Sequence, residues 1–223
     1  MSDNRRGPTV AATRDDDHFI ERHETFLKMI REQKIDVLFL GDSITRRWND
    51  NPEQQRHWFG DLNAANFGVG GDAIENLLWR IRNGELEGFS PRVVVLLIGT
   101  NNLPQDDGDS VAEGIELVVR EIRARVPAAK LLLMGILPRG PRTPATATEE
   151  QPYYRDTING VNRRIERLAA DPAIRYLSAG EIFLDDDGSI NEELMPDQLH
   201  PVAAGYEKLG AVLRPVIDEL LAD

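Results

Sequence analysis

Ser43 is set apart by what precedes it. It follows the apolar run Val37-Leu38-Phe39-Leu40 through Gly41 and Asp42. A strand there would deliver the serine to the edge of a sheet, and the glycine permits a tight turn. A short helix beginning near Ile44 would turn the serine's own N–H toward any oxyanion formed at that point. Serine chemistry also needs a base to take the hydroxyl proton and a carboxylate to fix the imidazole tautomer. Asp197-Gln198-Leu199-His200-Pro201 holds both residue types, and His200 is one of only four histidines. An Asp three residues before a His can fold back onto its ring within one turn. Asn101, close behind another apolar run, supplies a neutral amide donor; losing such a donor from an oxyanion site costs about 10²–10³ in rate. Gly71 has no side chain to keep a substrate away from its N–H.

Each residue also has a plainer reading. Asp197 could cap the last helix, with His200 packed in its first turn. Asn101 could satisfy loop backbone groups, and Gly71 could be a turn glycine. The tripeptide Gly-Asp-Ser itself proves little, because Gly108-Asp109-Ser110 repeats it. There the preceding residues are Asp106 and Asp107 and a helical pattern follows, so Asp109 or Ser110 is expected as a helix N-cap.

The elements that must position these residues alternate along the chain. Strands are expected at 37–40, 64–67, 93–98, 130–136 and 174–177, mostly as continuous apolar runs of the kind covered on both faces. Between them lie helical patterns such as Val111, Ile115, Val118, Val119, Ile122 and Val126. The order is βαβαβαβαβα with a helix in front, which predicts one parallel sheet in an α/β/α three-layer domain. The expected division is a flexible arm at 1–14 and a single domain at 15–223. Segment 138–152 is the longest irregular stretch and is expected as a loop. Ligands of such sheets bind beyond the carboxyl ends of the strands, where Ser43, Gly71 and Asn101 all fall.

Composition narrows the chemistry further. Twenty-six Lys and Arg against 38 Asp and Glu give a net charge of −12, which makes nucleic acid and anionic membrane poor partners. The absence of cysteine removes disulfides, thiolate catalysis and zinc ribbons. No apolar run is long enough for a membrane span, and residues 1–17 carry no signal-like apolar stretch, so a cytoplasmic location is expected. Gly68-Val69-Gly70-Gly71-Asp72-Ala73 fits a dinucleotide fingerprint, but follows the second strand and lacks the acidic ribose ligand. Asp185-Asp186-Asp187-Gly188 fails the calcium-loop register, and Asp15-Asp16-Asp17-His18 with His23 is expected to open a solvated helix.

Taken together, Gly41-Asp42-Ser43, the Gly71 segment, Asn101 and Asp197-x-x-His200 resemble the four blocks of the SGNH, or GDSL-type, hydrolases. Gly71-Asp72, Leu78-Trp79-Arg80, Asn83-Gly84-Glu85-Leu86-Glu87, Gly99-Thr100-Asn101-Asn102 and Leu137-Pro138-Arg139-Gly140 are similar to the type I platelet-activating-factor acetylhydrolase branch. The resemblance implies a flavodoxin-like five-stranded sheet, Ser43 as nucleophile, His200 as base and Asp197 as its orienting carboxylate. It implies an oxyanion hole from the N–H groups of Ser43 and Gly71 and the Asn101 amide, with no metal or organic cofactor. It also implies a small-molecule ester substrate and a self-associating, homodimeric subunit. Ile44, Thr100 and Leu199 adjoin these residues and are expected to close around a short, acetyl-like acyl group. A carbohydrate O-acetylesterase, a lysophospholipase-like activity and a non-catalytic interaction module stay open as alternatives.

Overall fold

The computed structural model describes residues 7–140 and 154–223. Helix α1 (Asp17–Glu32) is followed by β1 (Val37–Gly41), α2 (Ser43–Arg46), α3 (Pro52–Phe59), β2 (Ala64–Gly68) and α4 (Ile74–Arg80). Then come β3 (Val93–Leu97), α5 (Gly108–Arg125), β4 (Lys130–Met134), α6 (Arg155–Ile165), β5 (Ile174–Leu177) and α7 (Ala203–Ala222). The five strands are parallel, in the order β2-β1-β3-β4-β5. This is the α/β three-layer, flavodoxin-like architecture expected from the alternating pattern. The strand order reverses at β1, which opens a crevice between the carboxyl ends of β1 and β3.

The continuous apolar strands feed two cores because successive side chains point to opposite faces. Leu38, Leu40, Val94, Leu96, Leu131 and Leu133 pack with α1, α4, α5 and α6. Val37, Phe39, Val93, Val95, Leu132 and Met134 pack with α3 and α7 on the other face. The central strands β1 and β3 are buried throughout and need no polar alternation, whereas the edge strands β2 and β5 carry the less buried Asn66 and Arg175. No helix among the described residues is long and apolar enough to cross a membrane.

Four expectations need correction. Residues 7–14 do not form a loose arm: Pro8 is buried, Ala12 N–H donates to Glu75 O, and Arg14 reaches the loop after β2. The anchoring comes from backbone and guanidinium hydrogen bonds, which leave no apolar trace in the sequence. His23 is buried in α1 rather than solvated, with Nδ1 2.8 Å from Glu85 Oε1. The cap of α5 is Asp107, whose side chain accepts from Ser110 N–H, so Asp109 and Ser110 lie inside the helix. Strands β3 and β4 also stop earlier than expected, at Leu97 and Met134, because the pairing ends where the chain turns into the crevice. Of the loop expected at 138–152, residues 141–152 lie outside the described residues.

Candidate active site

Two glycines paired in register make room for the serine. Gly41 ends β1 opposite Gly68 of β2. A Cβ on Gly41 would lie 2.2 Å from Leu97 O and 2.3 Å from Thr45 Oγ1, and one on Gly68 would lie 2.3 Å from Arg46 N. Only without those side chains can α2 pack onto the sheet edge immediately after the strand. Asp42 caps α2 by accepting from Ile44 N–H at 2.9 Å. Ser43 is therefore the first helical residue, and its N–H is among those a helix leaves without an internal partner.

His200 reaches Ser43 from the segment before α7. Its Nε2 lies 2.9 Å from Ser43 Oγ, and its Nδ1 lies 2.6 Å from Asp197 Oδ2. The other Asp197 oxygen accepts from the N–H groups of Leu199 at 3.1 Å and His200 at 2.7 Å. The chain folds back there because Gln198, between them, takes a left-handed φ of 55°. Such a conformation in a non-glycine residue costs about 1–3 kcal/mol and persists only where the surroundings impose it. Gln198 is held by its N–H on Met195 O and by Gly140 N–H on its carbonyl. Burial works to raise the Asp197 carboxyl, but the three hydrogen bonds from His200 and Leu199 outweigh it and hold the group below the usual carboxylate range. An ionised Asp197 favours the tautomer with the proton on Nδ1, in which Nε2, on the Ser43 side, is the acceptor nitrogen.

The third part of the site is the turn after β2. Asp72 N–H donates to Val69 O, and Gly71 at the third position has φ +80°, a conformation that favours glycine. Among the described residues nothing accepts from the Gly71 N–H. Asn101 Nδ2 donates to Asp72 O at 2.9 Å, which fixes the amide against the same turn and leaves its second N–H for a ligand. Asn102, one residue on, is fully buried; its Oδ1 accepts from Ile74 N–H and its Nδ2 donates to Glu75. The loop after β3 is thereby tied to the start of α4.

Beneath this turn lies an ionic cluster that the sequence reading did not assign. Arg80 donates through Nε to Asp72 Oδ2 at 2.8 Å, through Nη1 to Glu85 Oε2, and through Nη2 to Gly41 O at 3.4 Å. Arg14 adds bonds from Nη1 to Gly70 O at 2.7 Å and to Asp72 Oδ1 at 3.1 Å. The side chains of Arg80, Asp72 and Glu85 are entirely inaccessible to solvent. Burial pushes Asp72 up to about 6 even against the pull of Arg80 and Arg14, so it remains ionised near neutrality. Burial alone would lower Arg80, and its two carboxylates hold it above the ordinary arginine value. The cluster links the end of the strand that carries Ser43 to the turn that carries Gly71. One signal was legible: Arg80 interrupts the core-facing stripe of Leu77, Leu78 and Ile81. Arg14 and Gln198 left none.

The three residues expected around the acyl group are also at this edge. Ile44, Thr100 and Leu199 are all buried. The Ile44 carbonyl accepts from Tyr206 OH at 2.7 Å, and the Thr100 carbonyl accepts from Arg139 Nη1. Elsewhere, Asp185–Gly188 is an acidic turn, with Asp187 accepting from Ser189 and Gly188 N–H bonded to Asp185 O. A hydroxyl, an imidazole and a carboxylate in a hydrogen-bonded line form an arrangement that can carry out acyl transfer.

Comparison with known proteins agrees with this chemistry. Residues 39–208 match the model of the GDSL-like Lipase/Acylhydrolase family. The chain is 35% identical over 209 residues to platelet-activating factor acetylhydrolase IB subunit alpha2 of Homo sapiens, covering 93% of this chain and 87% of that protein. It is 32% identical to the alpha1 subunit of Homo sapiens, over 93% of this chain and 86% of that one. Among solved structures, a GDSL-like lipase from Bacteroides thetaiotaomicron superposes with a TM-score of 0.71 at 20% identity, covering 88% of this chain and 97% of the other. The fold, the sequence match and the acylhydrolase relatives together place the chain in the GDSL-like lipase/acylhydrolase family, as a carboxylic ester hydrolase.

Proposed function

We propose that the protein hydrolyses short-acyl, acetyl-like carboxylic esters through an acyl-enzyme on Ser43. The observation that carries this reading is the continuous hydrogen-bonded line Ser43 Oγ, His200 Nε2, His200 Nδ1, Asp197 Oδ2. Ser43 Oγ attacks the ester carbonyl as its proton passes to His200 Nε2. The developing oxyanion takes hydrogen bonds from Ser43 N–H, Gly71 N–H and the free N–H of Asn101. Asp197 stabilises the imidazolium without itself taking the proton. Collapse of the tetrahedral intermediate breaks the bond to the alcohol oxygen, which receives the proton from Nε2. His200 then takes a proton from water, hydroxide attacks the acyl carbon, and Ser43 regains its proton as the acid leaves.

The acyl preference rests on Ile44, Thr100 and Leu199, buried side chains next in sequence to the reacting groups, closing around a methyl group. A pocket that accepted longer chains would gain about 0.8 kcal/mol for each methylene buried. The test is hydrolysis of p-nitrophenyl acetate, butyrate and octanoate by the wild type and by Ser43→Ala. Rates that fall with chain length and vanish in the variant are expected. A steady rise toward octanoate would sink the acetyl preference, and activity surviving in Ser43→Ala would sink the nucleophile assignment. Asp197→Asn should lower kcat by up to about 10⁴, through the wrong imidazole tautomer.

A further inference from the structure

Ser43 and His200 meet from segments 157 residues apart, and neither segment can hold its position alone. Helix α2 has four residues, too few to be stable as an isolated helix. Two side chains from other elements hold its carbonyls. Asn66 of β2 donates through Nδ2 to Thr45 O at 2.7 Å, and Tyr206 of α7 donates through its hydroxyl to Ile44 O at 2.7 Å. The first bond ties α2 to the sheet. The second ties it to the element that follows His200.

The start of α7 and the turn that carries the histidine are packed as one unit. Val202 N–H donates to Leu194 O and Tyr206 N–H to Val202 O, both at 2.9 Å. Gly205 lets the helix lie directly against that turn, since a Cβ there would stand 2.9 Å from Pro201 Cβ and 3.0 Å from Leu194 O. Tyr206 itself is entirely inaccessible to solvent. Its ring meets Trp48 edge-on with centroids 4.7 Å apart, and Trp48 meets Phe59 in the same way at 5.0 Å. A ring enclosed like this presents its hydroxyl at one point. Burial raises the phenol well above its ordinary value, so the group stays protonated and remains a donor.

We propose that Tyr206 is a positioning residue for the reaction, its hydroxyl on Ile44 O setting the separation of Ser43 Oγ and His200 Nε2. The proposal rests on the esterase reading above and concerns a group that touches neither the reacting atoms nor the ester. Ile44 directly follows Ser43, and Tyr206 lies at the start of the helix that follows His200, so this bond runs beside the 2.9 Å contact between the two. The ring supplies packing and the hydroxyl supplies register. Without the hydroxyl the buried Ile44 carbonyl loses this donor, and α2 can shift along the edge of β1. A displacement of about 1 Å between reacting groups can cost about 10² in rate.

Tyr206→Phe keeps the ring against Trp48 and removes only the hydroxyl. Two rates are read well below the melting temperature: kcat/KM for p-nitrophenyl acetate, and second-order inactivation by diethyl p-nitrophenyl phosphate. In the inactivation Ser43 Oγ displaces p-nitrophenolate from phosphorus as its proton passes to His200, so the rate reports on that pair without an acyl group. Both rates should fall together, by about tenfold. Leu220→Ala, at the other end of α7 in the same core, lowers Tm without touching Ile44 and should leave both rates within a factor of about two. Wild-type rates in Tyr206→Phe, or an equal loss in Leu220→Ala, overturn the positioning role while the esterase reading stands. Should Tyr206→Phe not fold, Trp48→Phe loosens the ring and keeps the hydroxyl; both rates should then fall by a smaller factor, and unchanged rates overturn the proposal. A wild type inert toward both reagents overturns the esterase reading as well.

Discussion

The chain contains the tripeptide Gly-Asp-Ser twice, each time at the start of a helix, and the two copies differ in their surroundings. Gly41-Asp42-Ser43 ends a central strand, with Asp42 only 1% exposed and Ser43 hydrogen-bonded to His200. Gly108-Asp109-Ser110 opens α5, where the Asp109 side chain is 96% exposed and Ser110 serves the cap residue Asp107 through its backbone N–H and its side chain. Both serines are half-buried, so exposure alone does not separate them. The difference lies in what surrounds each copy: a β1 edge facing a distant histidine, or one turn of a surface helix. A three-residue motif carries chemistry only where the fold delivers a base to it.

The comparison can be tested one position at a time. At the serines the expected gap is widest. Ser43→Ala should lower kcat on p-nitrophenyl acetate by about 10⁴–10⁶, with little further loss on adding His200→Ala, because the pair acts as a unit. Ser110→Ala keeps the backbone bond to Asp107 and should leave kcat within a factor of about two. A large loss there would reverse the assignment of the nucleophile.

The glycines should differ in stability. Gly41→Ala drives a Cβ into the Leu97 carbonyl at 2.2 Å, a backbone atom that cannot move aside. Denaturant unfolding should show a loss of about 1–3 kcal/mol or more. Gly108→Ala meets the Thr157 methyl at 3.2 Å, with Val161 Cγ2 and Thr157 O at ordinary contact distances, and gains helix propensity, so its effect should stay within about 1 kcal/mol.

At the aspartates the gap should depend on pH. Burial, ahead of all other causes, pushes Asp42 up to about 7 from 3.8. The folded state thus holds its proton more tightly than the unfolded chain does. The stability this contributes is complete below the unfolded value and is lost as pH rises toward about 7. Asp42→Asn keeps the cap on Ile44 N–H and removes that loss. Its Tm advantage over wild type should grow from pH 5 to pH 8, while Asp109→Asn shows no such trend. A flat difference for Asp42→Asn would mean that the carboxyl is ionised in the fold at both pH values.

Much of the architecture was legible because strands covered on both faces leave continuous apolar runs. The expected bounds of β5 and the starts of β1 to β4 coincide with the observed ones for that reason. The β3 and β4 ends were less legible, since apolar residues such as Ile98 and Ile136 continue into the crevice beyond the last paired residue. Helix α5 was visible from its apolar period, but its cap was misplaced, because three acidic residues and a serine near its start all fit the capping role. At the site, Ser43, Asn101, Asp197 and His200 could be nominated because each falls at a strand end or a helix start.

By itself the sequence determined the alternation of elements, the parallel sheet and the residue types available at its carboxyl edge. These are local properties: a period of apolar residues, a glycine that permits a turn, an aspartate three residues from a histidine. The tertiary structure alone brought Ser43 Oγ within 2.9 Å of His200 Nε2, 157 residues away in the chain. It alone decided that Arg14, from a segment without apolar pattern, would clamp the Gly70 carbonyl, and that Arg80 would bridge Gly41 to Asp72. Such contacts join polar groups distant in the chain, and a polar side chain carries no periodic mark of its future partner. The burial that pairs Arg80 with Asp72 and Glu85 exists only once the strands and helices have closed around them.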